Sequence, residues 1–443
     1  MRYKEQVKSL VDIFKSGEKS PNNFKLGLEL EHFILNKDDL TAVSYYEDKG
    51  VEDILKELVR VNWEPEYEGA YLIKLIKDKM TITLEPGGQL ELSLAPVSTI
   101  KEIDLLYQSF LDDIFPILLK WDKVIVNLGY HPESGIKNIP LLPKNRYKYM
   151  YEYFKNRGRY AHNMMKGTAS IQVSLDYQDE DDYRKKIISS YYLSPIIYCI
   201  FDNGPFFEGK LWDDPASIRS IIWDNCDNDR CGLIKGIFKD EFGYKDYASY
   251  ILNCPPIIIK KDGNLVFTGD TSARELLSSF ISSKISKEEL MHLLTMVFPD
   301  VRTKKYLEIR IGDSLPYPYF LGFVALWKGL LYNKENLDYL YSKAGQVDKG
   351  IYFEYKNRIQ RHGYKAFIDG ESVISRFRKL KGMASIGLTS SERKYLDSLD
   401  YIIENGPTPK EITYHNLKIG KKEALQWCMV PGKDDFVAST GFI

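Results

Sequence analysis

The stretch TITLEPGGQLELS, residues 81–93, alternates apolar and polar residues around a Pro86-Gly87-Gly88 break. Alternation of this period is the mark of a half-buried strand, since successive side chains point to opposite faces. Leu90, Leu92 and Leu94 take one face, and Gln89, Glu91 and Ser93 take the other, with Glu85 just before the break. A solvated face would mix in lysines; this one has no cation. The question is whether these carboxylates meet others elsewhere in the chain.

Two further stretches repeat the device. In Gly27-Leu28-Glu29-Leu30-Glu31-His32-Phe33, Glu29 and Glu31 share a face opposite Leu28 and Leu30. In Lys304-Lys305-Tyr306-Leu307-Glu308-Ile309-Arg310, Tyr306, Glu308 and Arg310 share a face opposite Leu307 and Ile309. One such strand alone is an ordinary solvated face. Three of them, if neighbours, would place Glu29, Glu31, Glu85, Glu91 and Glu308 on one side of a sheet. Such a cluster repels itself unless cations balance it. Carboxylate oxygens in this number suit Mg2+ or Mn2+, and that pairing suits phosphoryl transfer from a nucleotide.

The rest of the chain frames the reading. It has 443 residues, 44% hydrophobic and 28% charged, with 61 basic and 62 acidic side chains. The balance excludes a basic nucleic-acid binder and a disordered acidic tail. No apolar run reaches membrane-spanning length, and residues 1–20 read as an amphipathic helix, not a signal peptide. The five cysteines, Cys199, Cys226, Cys231, Cys254 and Cys428, are widely spaced and predict a cytosolic protein with reduced thiols. Strand patterns fall at 24–35, 69–76, 80–93, 123–130, 168–176 and 304–311, with a hairpin over 71–84. Helical patterns dominate elsewhere and fill most of the last 60 or so residues. Hairpins with unpaired strands predict an antiparallel or mixed sheet rather than a wound βαβ array.

Other site signals are sparse. There is no P-loop and no GxGxxG. The six histidines, His32 among them, form no metal-binding pair, and His32 alternates away from the acids into the packing face. Arg219 and Arg230 flank the polar run Asp224–Asp229; they fit either local ion pairs with Asp227 or Asp229, or a substrate carboxylate or phosphate. Arg302, Lys304 and Lys305 precede the third acidic strand as rim or phosphate-binding cations.

Taken together and in order, GLELEHF, ITLEPGGQLELSLAP, MMKGTASIQVSLDY, FDNGPFFEGK, SIRSIIWDNCDNDRCG, FPDVRTKKYLEIR and FLGFVALWKGLLY resemble the glutamate–cysteine ligases of the plant and proteobacterial type. These belong to the glutamine-synthetase-like carboxylate–amine ligases. The resemblance covers roughly residues 20–335 and continues more weakly to YLDSLDYIIENGPTP. It implies an α+β fold, a curved, mainly antiparallel sheet forming a funnel with helices outside. It also implies one catalytic domain over 1–443, with a mostly helical covering part from about 380. The implied reaction uses ATP and Mg2+ or Mn2+ to form γ-glutamylcysteine from L-glutamate and L-cysteine.

In the roles the resemblance implies, Glu29, Glu31, Glu85, Glu91 and Glu308 hold metal. Glu308 and Arg310 are catalytic, and Arg302, Lys305 and Arg310 bind ATP. Thr168, Gln172, Arg219, Trp223 and Arg230 line the amino-acid pocket. Two departures bear on the substrate. Gly167 stands where the family has an Arg, and Gly312-Asp313-Ser314-Leu315-Pro316-Tyr317 replaces a Gly-Ala-Asp-Gly-Gly-Pro run. A related ligase with another acid or amine, and a catalytically silent homologue, remain open alternatives at this level.

Overall fold

The computed structural model describes residues 2–261, 264–279, 286–405 and 408–430. The TITLEPGGQLELS stretch forms two strands, β4 (Met80–Leu84) and β5 (Leu90–Val97), joined by the turn at Glu85–Gln89. Gly88 sits there at φ +85°, a left-handed conformation that only glycine adopts without strain. The two strands are the middle of a nine-stranded sheet. Its other members are β1 (Leu26–Asn36), β2 (Glu64–Glu68), β3 (Tyr71–Lys77), β6 (Lys123–Val126), β7 (Ser170–Leu175), β8 (Val301–Thr303) and β9 (Leu307–Asp313). The spatial order is β8-β9-β7-β1-β5-β4-β3-β2, with β6 pairing on the far end of β1. Every pairing in this sheet is antiparallel.

Register decides what the alternation means. Leu30 lies opposite Leu92 and Leu92 opposite Ile82, so the apolar sets of three strands fall on one face. Val173 on β7 pairs with Leu28 on one side and Ile309 on the other, which extends that face to β9. These side chains are buried. The helices Ile100–Lys120 and Tyr319–Leu331 supply much of the rest of the same core, through Ile103, Tyr107, Phe110, Phe320, Phe323 and Trp327. Thr99 and Glu102 form a capping box that starts the first of them. His32 is buried among these residues, with its ring nitrogens at Leu90 O and Tyr107 Oη, the packing role that alternation indicates.

One hydrophobic cluster runs from Leu10 to Val430 and takes in Leu399, Ile402 and Ile412 of the C-terminal helices. The chain from 431 onward lies outside the described residues. Among the described residues no helix is long and apolar enough to cross a membrane. Three further helices are Asn145–Phe154, Ala161–Gly167 and Ile218–Asp224. They are short and pack around the opposite face of the sheet, where the site lies.

Truncation of a side chain fully buried in this face should cost several kcal/mol. Leu92→Ala is expected to lower the unfolding free energy by about 2–5 kcal/mol, read by urea denaturation. A loss below about 1 kcal/mol would mean the leucine face is not the core.

Candidate active site

The polar face of the sheet gathers its carboxylates by register. Glu31 of β1 lies directly opposite Glu91 of β5, and Glu29 opposite Ser93. Glu85 projects from the turn that follows β4. All four border a cavity of about 250 Å³. Glu31 accepts hydrogen bonds from the Ser170 amide (2.7 Å), Ser170 Oγ (3.0 Å) and Gln172 Nε2 (3.1 Å). Glu91 accepts from Thr83 Oγ1 (2.7 Å) and Ser93 Oγ (3.2 Å). Like charges this close, out of water, raise one another's proton affinity. Burial, with the Glu85 and Glu91 charges, pushes Glu31 up to about 8. Burial, with Glu308 and Glu91, pushes Glu29 up to about 7. Burial and Glu85 raise Glu91 as well.

Four guanidinium groups border the same cavity, from Arg146, Arg219, Arg302 and Arg310. Arg219 Nη2 donates to Arg310 O (2.8 Å), and its guanidinium stacks on the Trp223 ring at 4.0 Å. Arg310 Nη1 donates to Gln172 Oε1, so Gln172 bridges Arg310 and Glu31. Nε of Arg146, Arg310 and Arg219, with Nη1 of Arg219, are buried with no hydrogen-bond partner. Buried cationic donors of this kind suit an anion. Met150, Met164, Met165, Phe298 and Trp223 form an apolar stretch of the wall.

The structure brings most of the expected residues together and sets three apart. Thr168, Gln172, Arg219, Trp223, Arg302 and Arg310 all line the cavity with the four glutamates. Lys305 does not; it lies beside Lys287, whose charge lowers its pKa. Strand alternation explains the miss, because Lys304, not Lys305, shares a face with Glu308, and its Nζ reaches Glu308 Oε1 at 2.8 Å. Arg230 is also outside. It is fully buried and spends its donors on Asp227 (2.6 Å), Met296 O (2.7 Å) and Tyr153 Oη (2.9 Å). The local ion pair with Asp227 is thus its role, inside the protein rather than on its surface; it braces the wall that carries Phe298.

Glu308 is the third. Expected to stand among the metal ligands, it is fully buried behind the cavity lining. Burial alone would raise its carboxyl, but Arg302, Lys304 and Arg310 hold it well below the usual range. Both oxygens are taken by those three cations. Arg146 and Tyr147 were missed; they stand on the helix Asn145–Phe154, and the signal that could have found it is Tyr147, Met150 and Phe154 at i, i+3 and i+7, all buried on one face.

Neither departure noted in the sequence faces the cavity. A Cβ on Gly167 would lie 2.5 Å from the Tyr130 ring, so the phenol fills the space a side chain there would need. In the 312–317 segment Gly312 and Asp313 end β9 opposite Ile171 and Ser170 of β7, Ser314 Oγ donates to Glu31 O (2.5 Å) and Asp313 accepts from the Asn203 amide (2.7 Å). Among the described residues no three acidic, imidazole or thiol side chains close to metal-binding spacing. The four open carboxylates are nonetheless hard oxygen donors with unbalanced charge, the chemistry a divalent cation satisfies.

Comparison with known proteins meets this geometry. The family model described as glutamate-cysteine ligase family 2 (GCS2) matches residues 25–412. The chain belongs to that family. The chloroplastic glutamate–cysteine ligase of Nicotiana tabacum is 30% identical to this family member over 412 residues, 91% of this chain and 78% of its own. Chloroplastic glutamate–cysteine ligase A of Oryza sativa subsp. indica is 31% identical over 411 residues, covering 91% and 82%. A crystal structure of the Francisella tularensis glutamate–cysteine ligase in complex with AMP superposes with a TM-score of 0.56 at 14% identity, covering 93% and 88% of the two chains. That likeness shows the shared fold: an open antiparallel sheet with helices packed on it.

The acid cluster has a thermodynamic signature. Glu29 holds its proton up to about pH 7 in the fold, against 4.5 for the ordinary carboxyl. Between those values the folded chain binds more protons than the unfolded one, so stability falls as pH rises through the window. The ligand-free melting temperature should drop from about pH 5 to about pH 8. Glu29→Gln should shrink that drop and melt above wild type at the upper end. Identical pH profiles for the two proteins would refute the repulsion.

Proposed function

We propose that this chain joins the γ-carboxylate of L-glutamate to the amine of L-cysteine with cleavage of ATP, giving γ-glutamylcysteine, ADP and phosphate. The observation that carries the reading is the cavity itself: four carboxylates along one sheet face, met by four arginines, three of them with buried donors that no protein group takes. Family membership and the plant relatives' names support the same reaction. The AMP in the Francisella tularensis enzyme supports a nucleotide as the phosphoryl source. Both departures at Gly167 and 312–317 lie off the cavity lining, which favours glutamate and cysteine over another acid and amine.

Glu29, Glu31, Glu85 and Glu91 would hold Mg2+ or Mn2+, a fit that rests on their oxygen donors and the charge they leave unbalanced. When bound, the cations neutralise phosphate charge. Arg302 and Arg310, aligned by Glu308, would hold the terminal phosphate of ATP. Arg146, and Arg219 stacked on Trp223, would hold the amino-acid carboxylate. In the first step a γ-carboxylate oxygen attacks the γ-phosphorus and the bond to ADP breaks, leaving γ-glutamyl phosphate. In the second the cysteine nitrogen attacks the acyl carbon; the carbon–oxygen bond to phosphate breaks, and the departing phosphate can take the amine proton. Fixing both substrates in one walled cavity accelerates each step by orientation and keeps the acyl phosphate from water. Cytosolic residence belongs to the same proposal and rests on the sparse, widely spaced cysteines.

The test supplies Mg2+, ATP and L-glutamate with a panel of amines and identifies products by mass. γ-Glutamylcysteine that requires both amino acids is the expected result; a product from another amine alone, or none, would overturn the substrate assignment. Glu91→Gln is expected to lower kcat by about 10²–10³-fold, in line with loss of one charge-stabilising group. Near-normal turnover in that variant would remove Glu91 from the metal site.

A further inference from the structure

The turn that presents Glu85 does not stand free. Gln89, only 2% exposed, ties it down. Its Oε1 accepts from the Gly87 amide at 2.9 Å, and its Nε2 donates to Thr168 O at 2.8 Å and to Met165 O at 3.5 Å. The turn's own backbone closes through Glu85 N to Gln89 O (2.9 Å) and Gly88 N to Glu85 O (2.8 Å). It also presses against the end of the helix Ala161–Gly167, since a Cβ on Gly87 would lie 2.5 Å from Lys166 O. One buried amide therefore joins two walls of the cavity. On one side is the carboxylate Glu85. On the other are Met165 and Thr168, which lead into the strand that carries Ser170 and Gln172.

We propose that Gln89 is a positioning residue for the ligase reaction, holding the Glu85 turn at a set distance from the Met165–Thr168 wall. The role rests on the functional reading given above. The Gln89 amide is spent on the two walls, so ground-state affinity should depend on it little. Transfer between ligands depends on their mutual alignment, where a displacement of about 1 Å costs about 10²-fold. Loss of the tether should thus fall on kcat more than on KM.

Two replacements separate positioning from simple folding. Gln89→Met keeps the length and leaves the Gly87 amide and two carbonyls unpaired. Gln89→Asn keeps the whole amide on a stem one methylene shorter, so it cannot span from the Gly87 amide to Thr168 O.

The experiment measures kcat and KM for ATP, glutamate and cysteine in the full-length wild type and both variants, with Mg2+, from about pH 6 to about pH 9. For Gln89→Met we expect kcat down about 10–100-fold with each KM within about 3-fold, at a ratio to wild type that is flat in pH. For Gln89→Asn we expect the same loss in kcat alone with a melting temperature within about 3 °C of wild type, which a partly misfolded population would not show. Wild-type kcat in both variants, or KM values that rise as far as kcat falls, would overturn the role while the wild-type reaction stands. A wild-type chain that forms no γ-glutamyl product with any amine would overturn the functional reading and this role with it.

Discussion

Glu31 and Glu91 face each other across two neighbouring strands, away from bulk water, and the site is organised around that repulsion. Like charges in direct cross-strand register destabilise a sheet. The fold tolerates the pair because the opposite face of the same strands buries leucine and isoleucine throughout, and because serine, threonine and glutamine donors surround the carboxylates. What those donors leave unsatisfied is net charge. Protons can balance it, and burial shifts the carboxyls toward holding them. Divalent cations, as proposed above, would balance it better.

The cationic side shows the complementary economy of design. Glu308 sits behind the lining and gathers Arg302, Lys304 and Arg310 around one carboxylate. A single negative group thus aligns three positive ones, and the excess charge faces the cavity. Gln172 then links the two sides, accepting from Arg310 and donating to Glu31. The acid wall and the arginine wall are therefore one hydrogen-bonded unit, and a displacement of either would be felt by the other.

Much of this was legible because period-2 alternation is a local property. The face on which Glu29, Glu31, Glu91, Glu308 and Arg310 lie follows from their places in their own strands. The same rule, applied one residue further, separates Lys304 from Lys305. Short helices carry less information. Arg146 and Tyr147 stand on ten residues whose buried face, Tyr147, Met150 and Phe154, has helical spacing, but that spacing does not say which element the face meets, and only folding brings Tyr147 Oη to Glu85 Oε1 (3.4 Å). Arg230 shows the converse: its charge suggested a ligand, whereas three neighbours distant in sequence or buried with it had already taken its donors.

By itself, then, the sequence determined the antiparallel strands, their two unlike faces and the acidic character of one of them. It also carried family motifs enough to indicate a carboxylate–amine ligase. The tertiary structure alone decided which acids open onto the cavity and which is sealed behind it, and that Tyr130 fills the space beside Gly167. It also decided that Gln89 joins the turn of Glu85 to a helix nearly eighty residues away. The physical reason is the range of the interactions. Alternation is set by the backbone geometry of adjacent residues, whereas charge balance and close packing depend on groups that only folding brings within a few ångströms of each other.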